Sequence, residues 1–177
     1  GIRLPLHRRP RDRGSGERDV GRFDRSEPVF GASGAALWLR RDALDALALD
    51  GELFDEDFFM YGEDTDLAWR AHALGWRVWY VPAARALHER GWKRDRRFDV
   101  PVALRRHSFK NHYLQCLKNE SLGAFLLALP VHVAWELARL ASACLRDRQV
   151  LPAYRDALRL APRALRKRRL LRARTRR

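Results

Sequence analysis

The chain has 177 residues, 46% hydrophobic and 33% charged, with a formal net charge of +14 and a pI near 11.1. That length admits one modest domain with a small helical annex, and that apolar content excludes a wholly disordered chain. Nine basic residues and no acidic one lie from Arg163 to Arg177, so the last 15 residues carry +9 and the remainder +5. The charge is mostly a property of the tail and gives no reason to read the body as a DNA-binding domain.

Residues 1–30, rich in Arg, Asp, Gly and Pro, predict an extended, loop-rich entrance. Its opening GIRLPLHRRPRDRG lacks a following apolar run, so no signal peptide is expected. Gly31, Ala32, Ser33 and Gly34 permit close backbone approach, and the AALWLR run after them predicts a short strand. Asp42 is expected to cap a short helix carrying Leu44 and Leu47. From Gly62 to Leu74, the positions of Leu67, Ala71 and Leu74 predict a helix with one apolar face. Glu63, Asp64 and Asp66 crowd its first turn, where unpaired backbone N–H groups favour negative charge. Gly75 predicts its end, WRVWYV predicts a strand closed by Pro82, and His88 falls on the next loop.

Beyond residue 100 the pattern becomes helical. Phe109, Tyr113 and Leu117 recur at helical spacing across residues 101–119. The apolar stretch Leu122–Trp135 contains Pro130 and His132 and has 14 residues, short of the roughly 20 that span a bilayer. An interfacial, re-entrant or packed core helix fits it better. The last segment is a basic amphipathic pattern expected to break or bend at Pro162. Cys116 and Cys144 have no metal-ligand spacing and read as small buried hydrophobes.

Three carboxylates within four positions repel one another unless donors, cations or solvent compensate. The plain account is a helix N-terminus with Asp66 paired to Arg70 one turn on. Phe58, Phe59 and Tyr61 immediately before the carboxylates, with Gly62 and Gly75 framing the helix, point instead to a shaped cleft. Trp69 and Trp76 read equally as core residues or as stacking platforms for a sugar. Arg11, Arg13, Arg18 and Arg22 read as solvated loop.

The stretches DRGSGERDVGRFD, VFGASGAALWLRR, LFDEDFFMYGEDTDLAWRAHALGWRVWYVP and the later LKN resemble the family 2 glycosyltransferases, in particular bacterial rhamnosyltransferase-like members. The resemblance implies an α/β fold, an incomplete GT-A (nucleotide-diphospho-sugar transferase) fold. Its acceptor-side part would occupy residues 1–100, and a helical, basic, membrane-peripheral extension residues 101–177. It implies an inverting transfer in cell-surface polysaccharide synthesis, from a nucleotide-sugar donor to a saccharide or polyprenyl-linked acceptor. Asp64 would be the general base, accepting the acceptor hydroxyl proton as that oxygen attacks the anomeric carbon. Glu63 would orient Asp64.

By the same resemblance, Gly31, Ala32, Ser33 and Gly34 would floor the site, with Asp66, Trp69 and Arg70 around the substrate. His88, 24 residues beyond Asp64, would complete the coordination of a divalent cation, Mn²⁺ or Mg²⁺. The other ligands would come from a DxD motif in a donor-binding half, expected before Gly1 or encoded separately. The basic end would face an anionic membrane surface from the cytoplasmic side. Two alternatives remain at this point: an inactive pseudo-glycosyltransferase, and a basic membrane- or nucleic-acid-binding protein. Nucleic acid is disfavoured because no zinc-finger, winged-helix or RNA-binding signature accompanies the basic run.

Overall fold

The β-branched and aromatic residues of WRVWYV need a neighbouring strand, and the entrance segment supplies it. In the computed structural model, which describes residues 1–88 and 98–175, β3 (Glu27–Val29) pairs antiparallel with β4 (Val78–Tyr80). Pro28 faces Trp79 in this pair; a two-stranded sheet tolerates proline because both strands are edges. The entrance also forms an antiparallel pair of its own, β1 (Ile2–Arg3) with β2 (Arg11–Asp12). Helices and strands are thus both present, but helices dominate, and among the described residues each sheet holds two antiparallel strands.

The helices are α1 (Arg41–Leu47), α2 (Glu63–Ala73), α3 (Val102–Asn119), α4 (Leu122–Leu127), α5 (Leu129–Arg146) and α6 (Pro152–Thr175). Helix α2 matches the expected element to within a residue at each end. Gly62 precedes it at φ 89° and Gly75 follows at φ 81°, both in the left-handed region that glycine enters without a Cβ penalty. Its apolar face packs Leu67 and Ala71 against Ala43 and Leu47 of α1, with Leu37, Leu53 and Trp76 around them.

Four expectations are corrected. The AALWLR run is not a strand: Ser33 caps a 3-10 turn over Gly34–Ala36, and among the described residues no partner strand lies beside Leu37–Arg40. Asp42 does not cap α1; Arg40 occupies that place, and Asp42 in the first turn accepts from the Arg40 guanidinium at 2.6 and 3.0 Å. Of the two outcomes expected at Pro162, a break does not occur, since α6 continues through it to Thr175. On α3 the most buried face is polar rather than the Phe109–Tyr113–Leu117 stripe: Lys110, Asn111, Gln115 and Lys118 are all nearly inaccessible, while Leu117 is 36% exposed.

That polar face is buried because the body presents carboxylates and unpaired carbonyls to it. Asp66 accepts from Arg70 Nε at 3.0 Å and Lys118 Nζ at 2.7 Å on one oxygen, and from Asn119 Nδ2 at 2.7 Å on the other. Lys118 also bonds Asp55, and the second oxygen of Asp55 accepts from Lys167 of α6. Lys167 reaches Glu52 at 2.9 Å and Asp57 at 3.1 Å as well. Charges therefore alternate from α2 through the 50–57 loop and α3 to α6. Around this line, Arg163 binds Asp57 at 2.9 Å and Arg166 binds Asp50. The basic helix is docked on the acidic body rather than extended from it.

Burial alone would raise the Asp55 carboxyl, but Lys118 and Lys167 outweigh it and hold the group below its ordinary value. A depressed carboxylate contributes stability above its unfolded value, about 3.9, and loses it as pH falls through the folded value. Acid titration followed by circular dichroism should therefore show stability declining below about pH 4, and a flat response there would contradict this role. Lys118→Met leaves Asp55 and Asp66 without their shared cation and should cost about 3–5 kcal/mol in denaturant unfolding. A loss under about 1 kcal/mol would show that the line of charges does not hold the helices together.

Candidate active site

The glycine-rich turn and the acidic helix, 30 residues apart in sequence, meet at one hydrogen bond: Gly34 N–H donates to Asp64 Oδ2 at 3.0 Å. The other oxygen, Oδ1, accepts from Thr65 N at 2.7 Å and from Thr65 Oγ1 at 3.3 Å. Asp64 is half-buried at the first turn of α2, so its carboxylate has fixed donors on one side and solvent on the other. A carboxylate oxygen has more than one acceptor site, so these bonds leave capacity for a substrate hydroxyl.

Glu63 sits beside it in a different environment. Its Oε2 is buried without a hydrogen-bond partner, and burial first, with the Asp64 charge adding, raises its carboxyl above the ordinary value.

The loop before α2 is forced into position. Phe59 and Tyr61 adopt φ of 64° and 70°, which costs non-glycine residues of order 1 kcal/mol each. Asn111 of α3 offsets this: its amide nitrogen lies 2.9, 2.8 and 2.7 Å from the carbonyl oxygens of Phe58, Met60 and Tyr61. Lys110 donates to the Asp57 carbonyl, one residue before the aromatic run. Phe58 is thereby buried in a cluster with Leu114 and Ala164, while Phe59 is turned outward, 73% exposed, and Tyr61 lies at the surface before Gly62.

Two curated proteins match this chain, the N-acetylglucosaminyl-diphospho-decaprenol L-rhamnosyltransferases of Mycobacterium tuberculosis strains CDC 1551 / Oshkosh and ATCC 25618 / H37Rv. Each is 43% identical over 70 residues, which are 39% of this chain and 22% of the relative. The chain therefore spans less than a quarter of the length of the curated relatives it matches. No family model matches, and no solved structure matches. The similarity is to glycosyltransferases.

The residues expected at such a site separate into two groups. Gly34 is exposed at the Asp64 contact, Ser33 accepts from Ala35 N at 3.5 Å, and Ala32 is half-buried beside them. Gly31 is buried, and a Cβ there would stand 2.8 Å from the Ala68 Cβ, so the glycine is required by the approach of this segment to α2. Asp66 and Arg70 are 0% and 1% exposed, which places them in the interior ion network and out of reach of a substrate. Arg70 donates to the Leu47 and Leu53 carbonyls besides Asp66. Trp69 is half-buried, edge-on to Phe30 at 6.2 Å and under the Arg8 guanidinium at 5.8 Å.

His88 is exposed on the loop after β4, and no group of three or more His, Cys, Asp or Glu among the described residues is placed to hold a metal. These residues alone do not form a cation site. Among the described residues, two cavities lie away from Asp64: one of about 420 Å³ lined by residues that include Glu52, Asp57 and Lys167, and one of about 450 Å³ beside Trp135 on α5.

Sequence reasoning missed Asn111, Lys118 and Asn119, which position the acidic helix and its loop. The LKN stretch carried the signal for two of them without showing what they touch. The raised Glu63 carboxyl has a testable consequence. Its ionised form is disfavoured in the folded chain, so the penalty acts above the unfolded value of about 4.3 and disappears below it. Glu63→Gln should raise stability at pH 7, with the gain vanishing below about pH 4. Denaturant unfolding at both pH values checks this, and a loss of stability at pH 7 would contradict it.

Proposed function

We propose that this chain is the acceptor-side part of an inverting, GT-A type glycosyltransferase, with Asp64 as the general base. The observation that carries the reading is the Asp64–Gly34 contact, which joins the acidic helix to the glycine-rich turn at a half-buried carboxylate. The 43% identity over 70 residues to two rhamnosyltransferases supports the same class. The donor is a nucleotide-sugar, and the acceptor a saccharide hydroxyl carried on a polyprenyl diphosphate, presented at the cytoplasmic face of the cell membrane for surface polysaccharide synthesis.

In this mechanism Asp64 accepts the acceptor proton as its oxygen bonds to the anomeric carbon from the face opposite the departing nucleoside diphosphate. The bond from Gly34 fixes the carboxylate against rotation, so the accepting oxygen is oriented before substrate arrives. Glu63 sets the local field beside it. Phe59 and Tyr61 offer ring faces to the acceptor sugar. His88 is offered as one ligand of a divalent cation, with the remaining ligands on a donor-binding half. A non-catalytic reading is favoured by one observation, that neither of these two cavities is lined by Asp64, and the same experiment separates the two.

The test joins this chain to the donor-binding half of a rhamnosyltransferase of the kind it matches. Transfer is then measured from UDP-, GDP- and dTDP-sugars to a polyprenyl-diphosphate-linked N-acetylglucosamine. Asp64→Asn should lower the transfer rate by about 10²–10⁴-fold while acceptor binding persists. Retained binding distinguishes lost proton transfer from a displaced Gly34 turn. Wild-type turnover in the variant would remove Asp64 as base, and no transfer with any donor would favour the non-catalytic reading.

A further inference from the structure

Among the described residues, α4 and α5 carry a run of exposed apolar side chains. Leu126, Leu127, Val133, Leu137, Leu140 and Leu145 are all at least 41% exposed, Leu127 and Leu145 at 88% and 81%. The two helices meet at Ala128, which ends one and begins the other, so the surface is continuous from Leu122 to Leu145. His132, Trp135, Glu136, Arg139 and Ala143 occupy the more buried side of α5 at helical spacing. A surface helix bathed in water carries charge on its outer face; this one has no exposed charged residue from residue 129 to 145.

Charge decides what covers it. Each acidic side chain from residue 120 to 148 is engaged toward the body. Glu120 binds Arg8 at 2.7 Å, and Asp147 binds Arg105 at 3.0 Å. Glu136 accepts from the Tyr113 and Tyr154 hydroxyls and lies 4.0 Å from Arg139. Of the charged residues of the same stretch, Arg146 and Arg148 are the exposed ones and lie at the end of the apolar face, while the partly accessible Glu136 carboxylate is held on the body side by the two tyrosine hydroxyls. An apolar plane with cations alone at its rim matches the acyl region and anionic headgroups of a lipid bilayer. Among the described residues no helix is long and apolar enough to cross a membrane, so the geometry is that of a helix lying in the interface.

We propose that α4 and α5 form a bilayer-docking face for anionic membranes, and that this face, rather than the basic C-terminal helix, makes the principal lipid contact. Lys167 of α6 is buried against body carboxylates, and the exposed Arg163 and Arg166 are paired with Asp57 and Asp50, which weakens α6 as a headgroup ligand. The proposal does not depend on transferase activity.

Co-sedimentation of the full chain with phosphatidylcholine vesicles, with and without a quarter phosphatidylglycerol, tests it. The chain should bind the anionic vesicles, and Val133→Asp/Leu137→Asp should weaken that binding at least about tenfold. Arg169→Glu/Arg172→Glu on α6 should change it less than about threefold. Both apolar positions are exposed, circular dichroism verifies the fold, and Leu127→Asp provides a second, independent variant. Undiminished vesicle binding by the α4–α5 variants, or loss confined to the α6 variant, would overturn the proposal. So would a wild-type dimer in solution that those variants dissolve without change in vesicle affinity, since a second copy would then be the occupant.

Discussion

A lysine with no access to water, held between two buried aspartates, is the constraint on which the remaining structure depends. Lys118 touches Asp66 on α2 and Asp55 on the preceding loop, and Asp55 in turn binds Lys167 on α6. Desolvating these groups is expensive, and the expense is met only when all partners are present. The arrangement therefore acts as a registry device: α2, α3, α6 and the 50–57 loop fit together in the one alignment that pairs Lys118 and Lys167 with Asp55 and Asp66. The apolar clusters could not impose this alone, because Leu67, Ala71, Phe58 and Leu114 tolerate small slips that an ion pair does not.

The same alignment places the candidate base. Asp66 is fixed by three donors, and Asp64 stands two residues earlier on the same helix, so the interior network sets the helix whose first turn faces Gly34. Asn111, one residue beyond Lys110 on the buried face of α3, holds the Phe58–Tyr61 carbonyls and with them the entry to α2. Support and chemistry are thus divided along a few residues: Asp66 and Arg70 face inward and carry structure, while Asp64 and Glu63 lie at the surface end.

How much of this was legible in the sequence depended on whether local rules governed it. Helix α2 was legible because apolar spacing, acidic first turn and flanking glycines agree, and β4 because its residues favour strands. The AALWLR segment was misread because strand propensity needs a partner strand, and the Ser33 cap and the Asp64–Gly34 bond impose a tight turn there instead. The buried face of α3 was misread because a helix is ordinarily oriented by its apolar stripe; here the partners are carboxylates and carbonyls more than 50 residues away, invisible to any local window. Trp69 was left open between core and sugar platform, and its half-buried place against Phe30 serves packing while keeping an accessible edge. Asp66 and Arg70 were legible as an i, i+4 pair, but nothing local revealed that the pair would be interior.

The positive charge of the chain looks different once its partners are located. A run of nine basic residues reads as a solvent-facing tail seeking an anion, yet on α6 Lys167 is buried and Arg163 and Arg166 are committed to Asp57 and Asp50. Arg168 and Arg174 donate to backbone carbonyls of Leu117 and Ala48. For Arg163, Arg166 and Lys167 the anion is the protein's own 50–57 loop, an acidic patch that would repel itself without them. Such internal compensation leaves α6 a weaker electrostatic anchor than its composition suggests, because each committed guanidinium would have to leave one carboxylate before binding another. Apolar surface has no such competitor, and on this chain it is concentrated where acidic side chains have been turned away, along α4 and α5.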